Sequence, residues 1–341
     1  MYKIKNTERN NEKASDFETF SMLYLLGIRS DRDQIDLVLV DCFNDVTGSD
    51  NAVSRLWDVQ SKGHKSNTPL QIGEYLVTLY ENFLSDFPFK HLILFLETVA
   101  DIHILDSSLQ VFGIANFTDG SRRKVEEGLV REYARRSSIS LSQASTEKVG
   151  AFLGGVDFVV CTKDKIANIK NLIEFKNKDV RDSDFFIEIF NEIRGMQSKL
   201  KSTNVESSEL NYPTDVLSFK KHITRNQIIT LLVNRLVGIE LFSNHGIPID
   251  FVPYVAGMDR EDTKDITQGC VASICRTFFD KNNKVNIWRF LEAAIKVVMK
   301  DTALGVEEIA GQIPEQTLKN VPTLDPTSVK FLIARIKDGL Q

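Results

Sequence analysis

The sequence predicts an α/β fold, a small mixed sheet flanked by helices, followed by an all-helical C-terminal domain. Two apolar runs of strand length, residues 35–40 and 91–96, alternate with helix-period segments in the first part of the chain. From Asp184 onward every segment carries helical spacing, and chemically distinctive motifs are sparse. The 341 residues are 42% hydrophobic and 26% charged, enough to bury a sizeable core without disulfides or structural metal. That length exceeds one typical domain. The expected division is 1–205 for the sheet-bearing domain and 214–341 for the helical one, with the polar segment 202–213 between them.

Each element has its own local signal. Residues 1–14 are polar and read as loose. A first helix over 16–27 places Phe17, Phe20, Leu23, Tyr24 and Leu26 at helical spacing. Ser15-x-x-Glu18 has the form of a capping box, and Gly27 fits the stop. Strands are expected over 35–40 and 55–60, separated by Thr47-Gly48-Ser49-Asp50-Asn51, which has the composition of a turn. Pro69 suits the first turn of a helix over 69–83. Residues 91–96 read as a buried central strand, and 121–136 as a surface helix rich in arginine. A strand over 156–161 follows the turn at Gly154-Gly155, and 163–177 reads as a helix. Later helices are expected over 185–200, 226–242, 265–279, 287–299 and 329–337.

The most informative stretch is Leu56-Trp57-Asp58-Val59-Gln60-Ser61-Lys62-Gly63, which lies shortly after Phe43-Asn44-Asp45-Val46. Strand side chains alternate faces, so Asp58, Gln60 and Lys62 share one face while Trp57, Val59 and Ser61 share the other. A polar face that includes a lysine, set among apolar residues, calls for water or for chemistry. Phosphodiester hydrolysis needs an activated water, shielding of the phosphate and stabilisation of the leaving oxygen. Magnesium held by one or two carboxylates supplies the first two, and a nearby lysine offsets developing charge. On this reading Asp45 is the main metal ligand, Gln60 presents a side-chain carbonyl, and Lys62 is the catalytic cation. Asp58 is a further ligand or a support.

These residues resemble the PD-(D/E)XK nuclease superfamily in a Gln-x-Lys variant. The likeness is to the double-stranded DNA endonuclease domain of CD-NTase-associated anti-phage effectors, over roughly the first 100 residues. It implies a restriction-endonuclease-like fold, Mg²⁺ (or Mn²⁺) as cofactor, duplex DNA as substrate, and a role in bacterial defence. It also implies that a glutamate on the preceding helix, Glu18 here, joins the metal site. The chain departs from the family in having Asn44-Asp45 where paired acids are common, and in lacking the usual Gly- and Gln-bearing first helix. The C-terminal helices do not resemble the cyclic-oligonucleotide sensor of some relatives. Relatives without that sensor can work with a HerA-like hexameric ATPase, which the resemblance implies as a partner; the large helical part without chemistry leads to the expectation of a homo-oligomer or a hetero-complex.

Plainer readings stand beside these. Asp45 also fits a turn acid, Gln60 and Lys62 the solvated face of an edge strand, and Glu18 a capping residue. A rival constellation is Asp157 followed by Glu174-Phe175-Lys176, although within a helix Glu174 and Lys176 would face different ways. Lys65, Arg122, Arg123 and Lys124 are candidate contacts to DNA phosphates. Pairing of the arginine-rich helix with Glu126, Glu127 and Glu132 explains the same charges. A catalytically silent assembly protein on a nuclease fold is the competing function.

The net charge of −5 excludes a protein coated in basic surface, so any nucleic-acid contact is local. No Walker-type loop occurs, so ATP dependence would come from a partner. The dispersed histidines show no zinc-ligand spacing. Cys42, Cys161, Cys270 and Cys275 form no C-x-x-C pair and read as free thiols of a reducing, cytoplasmic protein. No apolar run is long enough to span a membrane.

Overall fold

The computed structural model describes residues 1–4, 16–144, 147–201, 205–243, 246–282 and 284–341. Ser15 of the expected capping box and His245 lie outside the described residues, as do residues 202–204 of the expected linker. The chain divides into two compact units: Met1–Ile169 with Phe186–Arg225, and Lys170–Phe185 with Asn226–Gln341. It is mixed α/β, with a helix-flanked sheet in the first unit and helices in the second.

The strands are β1 (Tyr2–Lys3), β2 (Leu37–Val40), β3 (Val46–Ser49), β4 (Leu56–Lys62), β5 (Phe89–Leu96), β6 (Val111–Phe112), β7 (Val156–Val160), β8 (Glu209–Leu210) and β9 (His222–Thr224). Seven of them form one sheet in the order β6-β7-β5-β4-β3-β2-β9. β9, β2, β3 and β4 pair antiparallel, whereas β4, β5 and β7 run parallel and β6 closes the other edge antiparallel. Parallel neighbours need long crossovers. The connection from β4 to β5 is made by helices α1's successors α2 (Pro69–Tyr75) and α3 (Val77–Phe83), α1 itself being Asp16–Leu23. The crossover from β5 to β7 includes α4 (Asp119–Ser137), α5 (Leu141–Ala144) and α6 (Glu147–Gly154).

Both sheet faces are covered. On one, Ile72, Leu76, Tyr80, Val125, Leu129 and Phe152 pack with Leu92, Leu94 and Phe158 of the strands. On the other, the Phe17 and Tyr24 rings lie 5.2 and 5.7 Å from Phe95, and Phe20 meets Phe190 at 4.9 Å. Phe190 belongs to α8 (Ser183–Lys201), which follows α7 (Lys165–Lys170). Covering both faces is why β5 reads as a continuous apolar run instead of an alternating one. Met1–Ile4, expected to be loose, carries β1 paired with β8 and a buried Ile4.

Glycines set the closest helix approach. A Cβ on Gly73 would stand 2.0 Å from the Val125 carbonyl, and one on Gly128 the same distance from the Leu70 carbonyl. The backbones of α2 and α4 therefore touch, which only glycine permits.

Three expectations are corrected. Thr47-Gly48-Ser49 is a buried strand, not a turn. The Thr47 hydroxyl finds Asp58, and Gly48 leaves room for Ile35 and Leu25, whose atoms would lie 3.1 and 3.3 Å from a Cβ there. The turn comes later, where Asp50 accepts hydrogen bonds from the Ser54 amide and hydroxyl. Gly154 of the expected Gly154-Gly155 turn closes α6, whose Val149, Phe152 and Leu153 are buried, and only Gly155 is a turn residue. The helix expected over 163–177 ends at Lys170.

The second unit contains α9 (Arg225–Val237), α10 (Val252–Val255), α11 (Arg260–Phe279), α12 (Lys284–Lys300), α13 (Val306–Gln312), α14 (Glu315–Lys319) and α15 (Pro326–Leu340). α15 is its most buried helix, with Phe331, Leu332, Ile333, Ala334 and Ile336 all sequestered. All four cysteines are free, Cys42 and Cys270 buried and the other two half-buried. Among the described residues no helix is long and apolar enough to cross a membrane.

Candidate active site

Asp45 ends the loop between β2 and β3, beside the C-terminal half of β4. One of its carboxylate oxygens accepts from the Gln60 amide at 2.9 Å, the Ser61 backbone N–H at 2.7 Å and the Ser61 hydroxyl at 2.7 Å. Antiparallel register puts Val46 opposite Val59, so the chain just before β3 meets Gln60 and Ser61. Gln60 is buried, and its carbonyl accepts from the Thr78 hydroxyl of α3 at 2.9 Å. Spacing leads to the expectation of a Gln60 carbonyl directed at a metal beside Asp45; here the Gln60 amide faces Asp45 and the carbonyl faces Thr78.

Lys62 lies two residues on, half-buried, with its ammonium 5.8 Å from the Tyr75 ring centroid. Gln60 and Lys62 line one cleft of about 290 Å³. Its other walls are His64, Glu74, Tyr75 and Thr78, together with Glu132 and Arg136 of α4. None of those six was picked out from sequence as lining a site.

That cleft is lined neither by Asp45 nor by Asp58. Asp58 is fully buried, and its oxygens accept from Asn44 at 2.5 Å, Thr47 at 2.8 Å and Asn82 at 2.7 Å. Asn82 in turn accepts from the Tyr2 hydroxyl at 2.6 Å. The network ties Asn44, the residue before Asp45, to the sheet, so Asp58 supports the Asp45 loop. Burial pushes the Asp58 carboxyl up to about 6 against the pull of its three donors.

Glu18 of α1 is buried and meets the Lys201 ammonium at 2.7 Å, and Lys201 also lies 3.5 Å from Asp41. Burial raises the Glu18 carboxyl to about 7; Lys201 opposes that rise, while the charges of Asp45 and Asp41 add to it. Glu18 is thus within electrostatic reach of Asp45 but committed to a lysine. Among the described residues no group of three His, Cys, Asp or Glu side chains is placed to hold a metal ion.

The rival residues fall in different units, Asp157 in the first and Glu174 and Lys176 in the second. Asp157 is bound by Arg29 at 3.1 Å, and the backbone amide of Lys176 is held by Glu292 at 2.9 Å. On α4, Arg122 pairs with Asp119, Arg131 with Glu127, and Arg135 and Arg136 with Glu132. Lys65, Arg122, Arg123 and Lys124 are all exposed.

No family model matches the chain, and neither a curated protein nor a solved structure does.

Two expected results follow from the buried acids. In the first unit, burial would raise Asp31, but hydrogen bonds from Arg29 and Trp57 hold it at about 2, and Arg135 and Arg136 hold Glu132 there too. A depressed carboxyl stabilises the fold above its unfolded value and loses that contribution as pH falls toward 2. Asp58 and Glu18 are raised, so the folded state binds their protons more tightly and stability falls as pH rises through about 6 and 7. Thermal unfolding should therefore show a maximum at about pH 4, near the unfolded carboxyl values, and a lower midpoint at pH 8. A midpoint rising steadily from pH 5 to pH 8 would contradict this.

Asp58→Ala strands three buried donors and should lower stability by about 3 kcal/mol in urea titrations. The loss should be smaller at pH 8 than at pH 5, because the wild type already bears the cost of the buried charge at pH 8. An equal loss at both pH values would mean that Asp58 is not held above its ordinary range.

Proposed function

We propose that this chain is a metal-dependent endonuclease that hydrolyses the phosphodiester bonds of DNA. The observation that carries the reading is the Asp45 carboxylate fixed by Gln60 and Ser61 on the adjacent strand, with Lys62 next along the Gln60 face. Asp45 offers a hard oxygen donor and Gln60 an amide carbonyl, which suit magnesium or manganese that keeps most of its own waters. They do not suit a closed protein cage, which would need more ligands. Asp45 is the main ligand, and Gln60 joins if its carbonyl exchanges Thr78 for the ion. Glu18 contributes only if Lys201 releases it, and Asp58 acts as a support. The bound ion supplies an activated water and neutralises phosphate charge.

The chain's own residues do the rest. Ser61 and Gln60 aim the Asp45 carboxylate, and Asp58 holds its loop through Asn44. Lys62 presents positive charge to the phosphate as negative charge develops. Lys65, Arg123 and Lys124 are exposed cations that can follow a nucleic-acid backbone, joined by Arg122 where it exchanges Asp119 for phosphate. Duplex DNA, a HerA-like ATPase and a setting in anti-phage defence rest on the resemblance described above, a homo-oligomer on the large helical part that carries no chemistry, and a cytoplasmic location on the unpaired cysteines.

A second reading is a silent assembly protein on the same scaffold. It is favoured by the commitment of Glu18 to Lys201 and by the lack, among the described residues, of a three-ligand metal group. Plasmid incubated with the protein and Mg²⁺ or Mn²⁺, alone and with the product of the neighbouring gene, separates the two. Cleavage abolished by EDTA is expected; inactivity under every condition selects the scaffold.

A further inference from the structure

The cleft beside Lys62 carries a feature that duplex cleavage does not need. His64, on the loop after β4, lies against Tyr75 of α2 with ring centroids 6.1 Å apart and planes 23° from parallel. His64 is exposed and Tyr75 half-buried, and the Lys62 ammonium stands over the Tyr75 ring 5.8 Å from its centroid, so the stack meets solvent chiefly through His64. Arg136 stands on the α4 wall, oriented by Glu132 at 2.9 Å.

We propose that this cleft receives one unpaired nucleotide, its base stacked on the His64–Tyr75 pair and its phosphate drawn to Lys62 and Arg136. A base can stack on a side chain only when its own face is uncovered, which duplex stacking prevents. The cleft, about 290 Å³, has the scale of a small-ligand site, not of a groove that seats a double helix. The proposal rests on the nuclease reading and narrows its substrate to nucleic acid with single-stranded, flapped or frayed nucleotides. His64 and Tyr75 are then substrate-contacting residues, and Glu74 and Glu132 limit how much backbone charge the cleft admits.

The test is binding with metal chelated, so that it does not depend on cleavage. Fluorescence anisotropy in EDTA would compare a single-stranded oligonucleotide, a flapped duplex and a blunt duplex. The first two should bind more tightly than the third. Tyr75→Ala should weaken single-strand binding about ten-fold with little change for the blunt duplex, and Tyr75→Phe should keep it. His64→Ala, at an exposed position where folding is not at stake, should weaken it in the same direction. Equal affinity for all three probes, or Tyr75→Ala and His64→Ala without effect, overturns the proposal. Strand-selective binding without cleavage under Mg²⁺ or Mn²⁺ would uphold this shelf while the nuclease reading failed. Cleavage of blunt duplex by a chain indifferent to Tyr75→Ala would do the reverse.

Discussion

Gly73→Ala and Gly128→Ala are each expected to destabilise the first unit by at least about 3 kcal/mol, against the direction helix propensity predicts. In a solvent-exposed helix, glycine to alanine gains about 1 kcal/mol. Here the new methyl would stand 2.0 Å from a carbonyl oxygen of the facing helix, Val125 in one case and Leu70 in the other. The obstructing atoms are backbone, so no rotamer change relieves the clash. α2 and α4 must separate, which opens the layer formed by Ile72, Leu76, Val125 and Leu129. Gly120, also on α4, has nothing within 4 Å of its Cβ position, so Gly120→Ala is the matched control and should be neutral or mildly stabilising. Urea unfolding of the three variants decides the matter. If Gly73→Ala and Gly128→Ala behave like Gly120→Ala, the two helices do not touch as described.

The contrast between those glycines also shows what could be read along the chain and what could not. β5 is a continuous apolar run, α1 carries apolar residues at helical spacing and α4 stands out by its arginines, and the position of each was legible from that. β3 was not, because Thr47-Gly48-Ser49 has the composition of a turn. Its residues are strand only because Asp58 satisfies Thr47, and Ile35 and Leu25 need the space above Gly48. β6 and β9 are too short to leave a pattern, and their pairing comes from the sheet edges they meet.

The site divides in the same way. The shared face of Gln60 and Lys62 follows from strand alternation, whereas the Gln60 amide donating to Asp45 was not legible, because spacing suggests a carbonyl turned to a metal. Commitment of Glu18 to Lys201 joins residues 183 positions apart, and no local signal announces it. Tyr75, Glu132 and Arg136 reach the cleft because α2 and α4 cross at their glycines. Two mid-helix glycines on otherwise good helix formers were the one available hint. Asp58 illustrates the limit most clearly, since alternation assigns its face correctly but not whether that face is open or sealed.

Lys62→Met should reduce cleavage at least about 100-fold while leaving the fold within about 0.5 kcal/mol of wild type. Methionine retains an unbranched stem beside Tyr75 and removes only the ammonium, so the loss would report charge at the phosphate. Asp45→Asn should cost as much, because its amide oxygen can still accept from Ser61 while the charge that holds a cation is gone. Gln60→Glu separates metal binding from packing. It sets a second carboxylate against Asp45, where the amide now donates at 2.9 Å, and like charges at that distance repel. Its melting temperature should fall in EDTA and recover on adding Mg²⁺, which wild type should do to a smaller extent. Lys176→Ala, in the second unit, should cleave normally. If Lys176→Ala abolished cleavage and Lys62→Met did not, the Asp45–Gln60–Lys62 assignment would fail. A Gln60→Glu variant indifferent to Mg²⁺ would mean that no cation enters beside Asp45.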